Sequence, residues 1–165
     1  MSDLVIRDAA PDDVTAIAAI LNREIAETTA TWTIGVRNFT DMRAWFQTRR
    51  SAGYPVLVAD RGGRVLGYGA LGPFREGEGY RRTVEHSVYV AGAARRRGAG
   101  RALLAALVER ARADGHHAMV GGIGAENEES LILHRKMGFE EAGRLPEVGW
   151  KFDRPLDLVL MQKLL

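Results

Sequence analysis

The chain has no cysteine in its 165 residues. Disulfides, thiolate metal sites and cysteine nucleophiles are therefore excluded. It has only five prolines and no linker or low-complexity tail, so one domain over 1–165 with a sizeable core is expected. No apolar run reaches the length of a membrane span, and the N-terminus shows no signal-peptide core. The expected location is the cytoplasm, with no membrane partner. Charge of one sign is missing too, because 23 Lys and Arg against 21 Asp and Glu leave a net +2. That balance argues against a nucleic-acid partner. No spacing of His, Asp and Glu suggests a metal site.

The positive charge that is present is bunched, at Arg81 and Arg82 and again from Arg95 to Arg101. The second group belongs to the stretch around which the chain is organised. Residues 84–90 are rich in β-branched side chains and read as a strand. A basic turn with Gly98 and Gly100 follows. Residues 102–112 then carry Leu103, Leu104, Leu107 and Ala111 at helical spacing. Strand, glycine turn and helix together present free N–H groups and a positive dipole end to an anion. Such a turn is often only a turn, and an arginine cluster is often a solvated face. No Gly-Lys-Ser/Thr closes the loop, and Leu103 stands where a dinucleotide-binding loop needs its third glycine.

Around this centre, residues 4–7 read as a first strand. Pro11 opens a helix with Asp12 and Asp13 near its start and Val14, Ile17, Leu21 and Ile25 on one face. Residues 28–32 form a loop in which Trp32 either packs or lines a site, packing being the safer expectation. Thr40 is the expected N-cap of a second helix carrying Met42, Trp45 and Phe46. Strands at 55–59 and 65–71 flank a hairpin turn at 61–64. Residues 72–82 have no apolar period. Asp114 and Gly115 end the long helix, and His116 and His117 after it read as surface. A fifth strand spans 118–123, a short helix 131–137 closes at Gly138, Phe139 begins another strand, and 156–162 is the last. Strands and helices alternate in the middle and hairpins lie at the ends, which predicts a mixed α/β sheet with helices on both faces.

The run from Arg95 to Gly100 fits R-x-x-G-x-G and resembles the coenzyme A pyrophosphate loop of the GNAT N-acetyltransferases. Other segments follow in the GNAT order: the strand before the loop, the strand near Val120, Glu126 to Ser130, and Leu133, His134, Gly138 and Phe139, which resemble the L-Y-x-x-x-G-F signature with His134 in place of tyrosine. Arg82, Thr83, Val84, Glu85, His86 and Ser87, with His134 and residues 148–152, resemble the phosphinothricin acetyltransferase branch, and more narrowly the bacterial methionine sulfoximine/methionine sulfone N-acetyltransferases. The resemblance implies acetyl-CoA as co-substrate. It also implies a GNAT fold: a mixed, mostly antiparallel sheet of about seven strands with about four helices, splayed between the fourth and fifth strands. A homodimer is implied as well.

The reaction would acetylate a primary amine. A free α-amine titrates near about 8, so it must lose a proton before it attacks. Glu85, an acid inside a β-branched strand beside the loop, is the candidate general base, directly or through a water. His86 should face the opposite side of the sheet, lining the substrate or the structure. A backbone N–H at Val88 would meet charge developing on the thioester oxygen. The backbone of Val88, Tyr89 and Val90 would pair with the pantetheine arm. Arg95, Arg96, Arg97, Gly98, Ala99, Gly100 and Arg101 would hold its phosphates. Asn127, Ser130 and Lys136 match later family contacts, although Lys136 is nearly as readable as a plain surface lysine. His134 is a candidate acid, second base or substrate contact.

An amino-acid acceptor brings a carboxylate, which the fork of Arg75 or Arg82 suits. Phe74 would wall the side-chain pocket. Backbone N–H groups near Thr83 and Ser87 would meet a sulfoximine, sulfone or phosphinate. Two other functions stay open. One is the same chemistry on a protein N-terminus, polyamine or aminoglycoside, with the arginines at 75, 81 and 82 against the cationic acceptors. The other is a non-enzymatic CoA sensor, which would need the phosphate loop but neither Glu85 nor His134.

Overall fold

The computed structural model describes residues 3–165. Strand β1 (Val5–Asp8) leads through a 3-10 turn at Pro11–Asp13 into helix α1 (Val14–Glu27). Asp13 serves as the acid of that turn, its Oδ2 accepting the Ala10 N–H at 2.7 Å. Helix α2 (Phe39–Ser51) follows. Its cap is Asn38 rather than Thr40: Asn38 is the last extended residue, and its side chain accepts the Asp41 N–H at 2.8 Å. Thr40 already lies inside the first turn, where a side-chain cap has no free N–H to reach.

Strands β2 (Val56–Arg61) and β3 (Arg64–Pro73) form the expected hairpin, and β4 (Thr83–Val90) returns beside β3. Helix α3 (Ala99–Ala113), strand β5 (Ala118–Gly124), helix α4 (Glu128–Lys136), and strands β6 (Glu140–Lys151) and β7 (Arg154–Leu164) complete the chain. Helix α4 starts three residues before the expected 131, because the Asn127 side chain accepts the Ser130 N–H and caps it there.

The seven strands form one sheet in the order β1-β2-β3-β4-β5-β7-β6. All neighbours are antiparallel except β4 and β5. That parallel pair holds for only three residues, Thr83 to Glu85 against Ala118 to Val120. Past that point β4 runs on to Val90 and β5 to Gly124 without facing each other, so the sheet is splayed as expected.

Side-chain alternation along the strands feeds two cores. On one face α3 and α4 cover Leu57, Leu71, Val84 and Met119, with Leu103, Leu104 and Leu107 fully buried. Burying each such leucine contributes about 1.5–3 kcal/mol. On the other face α1 and α2 cover Val56, Val58, Tyr68 and Ala70. Trp32 packs: its ring fills the space a Cβ on Gly149 would take and lies 3.7 Å from where one on Gly124 would sit. It ties the segment after α1 to β5 and β6. No helix among the described residues is long and apolar enough to cross a membrane.

Candidate active site

Glu85 is the last residue of the short parallel pairing, paired with Val120 on one side and Gly72 on the other. Its side chain faces α1 and α2. Arg75 Nη1 lies 3.8 Å from its Oε2. Arg75 is itself pinned, with its guanidinium 4.4 Å above the Phe74 ring and Nη1 donating to the Phe74 carbonyl. Phe74 packs edge-on against Tyr80. Half-burial raises the Glu85 carboxyl above its ordinary value, against the pull of Arg75 and then Arg49. A carboxylate raised in this way is a stronger base near neutral pH.

His86 points the other way, into the α3–α4 face, and is buried. Its ring lies over Gly121, where a Cβ would stand 2.6 Å from the ring Cε1. Its Nε2 is 2.8 Å from Nε2 of His134, which α4 presents from above. His134 Nδ1 is 2.7 Å from the Ser130 carbonyl, which can only accept, so Nδ1 carries the hydrogen. His134 Nε2 is then the acceptor and His86 Nε2–H the donor. The His86 Nδ1 lone pair is left buried without a partner among the described residues. Phe139 closes the pair, with ring centroids 5.3 Å from His86 and 5.1 Å from His134. Burial keeps both imidazoles neutral. It lowers His86 to about 3, helped by its neighbour His134 and opposed by the nearby Val120 carbonyl, and it lowers His134 against the Ser130 carbonyl.

Beyond Val90 the chain turns through Gly92–Ala94 to the basic loop. Arg96 and Gly98 adopt positive φ, 61° and 87°. Gly98 is the N-cap of α3, and no side chain caps the helix. The first N–H groups of a 15-residue helix are therefore left without a side-chain acceptor. Arg97 and Arg101 are exposed beside them, and Arg96 makes only a loose 3.6 Å pair with Glu129. With the unpaired edges of β4 and β5 leading from Glu85 to this loop, the residues present fit a long polar arm ending in phosphates.

Arg95 behaves differently from its neighbours. Its Nη2 pairs with Glu24, which is 3% exposed on α1 and also accepts from Thr28 Oγ1. Lys151 Nζ caps the same helix end, donating to the Thr28 and Thr31 carbonyls at 2.6 and 2.7 Å. Arg95 thus ties the loop to α1, a role its place in the motif does not reveal. Glu24 carried no sequence signal of its own, and Lys151 entered only within the segment 148–152.

The other expected residues lie as follows. Val88 and Val90 pack into the α3–α4 core and Tyr89 into the α1–α2 core, so Tyr89 offers the opening only its backbone. Thr83 and Ser87 share the Glu85 face of β4. Arg82 is exposed just before β4, its Nε 3.4 Å from the Gly115 carbonyl. Asn127 and Ser130 have local duties on α4, and Lys136 is exposed. Among the described residues no group of three or more His, Asp and Glu could hold a metal ion.

One residue was missed. Arg49, in the last turn of α2, lays its guanidinium over Gly72, with Cζ 2.6 Å from where a Cβ would be. Its Nε is buried with no hydrogen-bond partner among the described residues. The signal was available in the inward stripe of α2: after Met42, Trp45 and Phe46 the next inward position is an arginine.

A family model described as "Acetyltransferase (GNAT) family" matches residues 18–139. The L-methionine sulfoximine/L-methionine sulfone acetyltransferase of Pseudomonas aeruginosa is 51% identical over 158 residues, 95% of this chain and 92% of that protein. A crystal structure described as a ribosomal-protein-alanine N-acetyltransferase from Brucella melitensis superposes with a TM-score of 0.97 at 48% identity, over 98% of this chain and 100% of that one. The phosphinothricin acetyltransferase of Sinorhizobium meliloti, solved in complex with acetyl-CoA, gives 0.95 at 37% identity, over 100% and 89%.

Proposed function

The chain belongs to the acetyltransferase (GNAT) family, and we propose that it carries an acetyl group from acetyl-CoA to the α-amine of a small free amino acid, with L-methionine sulfoximine, L-methionine sulfone or phosphinothricin as favoured acceptors. One observation carries the reading: a carboxyl raised by burial, Glu85, stands where the parallel pair of strands opens, with arginines on the same face. The names of the similar Pseudomonas and Sinorhizobium proteins support the acceptor class.

Bound acetyl-CoA supplies a thioester carbonyl and a thiolate leaving group. The chain does the rest. Glu85 takes the proton that the ammonium must lose, directly or through a water. Arg75, held over Phe74 and beside Glu85, adds positive charge on the face where the acceptor carboxylate approaches. The Val88 N–H meets negative charge on the carbonyl oxygen, and the free edge of β4 through Val90 aligns the pantetheine arm. Arg96, Arg97, Arg101 and the start of α3 hold the phosphates. His134 enters as a neutral imidazole with its Nε2 turned to His86, so any proton it gives the thiolate is one it has first taken up. Transfer is direct, in a ternary complex.

The reading includes a homodimer. Val148, Trp150 and Phe152 are exposed on the β6–β7 hairpin, with Trp150 at 62%, on an edge strand of the sheet. Such a patch suits burial against a second copy.

Thiol release from acetyl-CoA with a panel of acceptors tests the function: methionine sulfoximine, methionine sulfone, phosphinothricin, methionine, spermidine and an alanine-ended peptide. Saturable turnover on the sulfone or sulfoximine is expected. Turnover confined to the peptide or spermidine would replace the acceptor class.

A further inference from the structure

Among the described residues, the Arg49 guanidinium has no hydrogen-bond or ion-pair partner. It sits in the inward stripe of α2, one turn beyond Phe46, where an apolar side chain would ordinarily pack. Its guanidinium lies flat on Gly72 because glycine leaves no Cβ there. Gly72 and Glu85 are directly paired across β3 and β4. Residues opposite one another in an antiparallel pair project to the same face, with Cβ positions about 5 Å apart. Arg49 therefore occupies the neighbouring site to the Glu85 carboxyl, on the side away from β5. Glu85 forms its ion pair with Arg75, and the Arg49 Nε–H has nothing to donate to. A buried guanidinium donor left without an acceptor is costly unless something else completes it.

We infer that Arg49 anchors the α-carboxylate of the acceptor and so restricts the enzyme to free amino acids, excluding peptide N-termini. The inference rests on the amino-acid reading above. In a free amino acid the carboxylate and amine share one carbon. With the amine at Glu85, the carboxylate falls on an immediate neighbour. Arg49 offers a planar fork there with a free Nε–H, and carboxylates take such forks by two parallel hydrogen bonds. Arg75 is already committed to Phe74 and Glu85 and supplies field more than a free fork. A peptide N-terminus has an amide carbonyl where the carboxylate would be. It offers Arg49 one neutral acceptor in place of two charged oxygens, and that loss is the discrimination.

The test compares methionine sulfone with its carboxamide, which keeps size and amine and removes the charge. In the wild type, kcat/KM favours the acid by about 10- to 100-fold, the range of a charge-assisted bidentate contact. In Arg49→Met this preference collapses toward parity, mainly through KM for the acid. Arg49→Lys keeps the charge without the fork and recovers part of the preference. Acetyl-CoA affinity, measured by calorimetry, stays at the wild-type value and verifies folding. Equal losses on acid and amide in both variants would overturn the role of Arg49 while leaving the amino-acid reading intact. Wild-type turnover only on acceptors without a carboxylate, or neither turnover nor binding of amino acids, would overturn both.

Discussion

His86 on β4 and His134 on α4 meet through their Nε2 atoms at 2.8 Å, both buried and both neutral. The pair joins α4 to the sheet on the face opposite Glu85. Phe139, which follows Gly138 at the end of the helix, packs tilted on His86 and edge-on to His134, so three side chains from two segments fix how α4 sits over the splayed strands.

Stability should depend on pH through this pair. Both folded values lie below the unfolded value of about 6.5, so the unfolded chain binds more protons on acidification. The contribution is complete above that value and is lost as pH falls through it, by up to about 1.4 kcal/mol per pH unit for each imidazole. Chemical denaturation between about pH 7 and pH 5 reads this directly. His86→Asn, which keeps a donor toward His134, should show a shallower loss than the wild type. Parallel slopes would show that the pair is not held neutral by the fold.

Gly121→Ala should destabilise the protein by about 1–3 kcal/mol, because its Cβ would overlap the His86 ring and the ring has no free space to move into. The melting temperature is the measurement. A simultaneous His86→Ala change should remove most of the penalty specific to Gly121→Ala, since the clashing atoms go with it.

The arginines of the loop should separate into two kinds. Arg95→Ala leaves the Glu24 carboxylate 3% exposed without its cation, and should cost about 1–3 kcal/mol of folding stability. Arg97→Ala and Arg101→Ala should leave stability within about 0.5 kcal/mol and instead weaken acetyl-CoA binding, with a smaller dependence on ionic strength. Denaturation and calorimetry on the same three variants check both halves.

The fold was largely legible because its signals are local. The apolar period of α1 and α3, the glycine hairpin between β2 and β3 and the strand before the basic loop all lie within short windows. Glu85 stood out for the same reason, an acid in a β-branched strand. What failed to show depends on contacts far apart in sequence. Arg49 acquires its place only when β3 and β4 register sets Gly72 opposite Glu85. Arg95 looks like its neighbours until α1 brings Glu24 against it. Edge strand β6 has bulges that break alternation, and its hairpin turns through Phe152 and Asp153, at φ of 52° and 56°, without the glycine or asparagine that usually marks such a turn. Thr40 was the expected cap and Asn38 is the observed one; both residue types make good caps, and only the backbone decides between them.

The pH dependence of kcat/KM for methionine sulfone, in the wild type and in Glu85→Gln, tests the central claim most directly. The account predicts a wild-type rate that falls on acidification through a group lying above the ordinary glutamate value, since burial raises Glu85. It predicts a loss of about 10²- to 10⁴-fold in Glu85→Gln, with that acidic limb gone and acetyl-CoA binding retained. A Glu85→Gln protein that turned over methionine sulfone at the wild-type rate with the same acidic limb would contradict it.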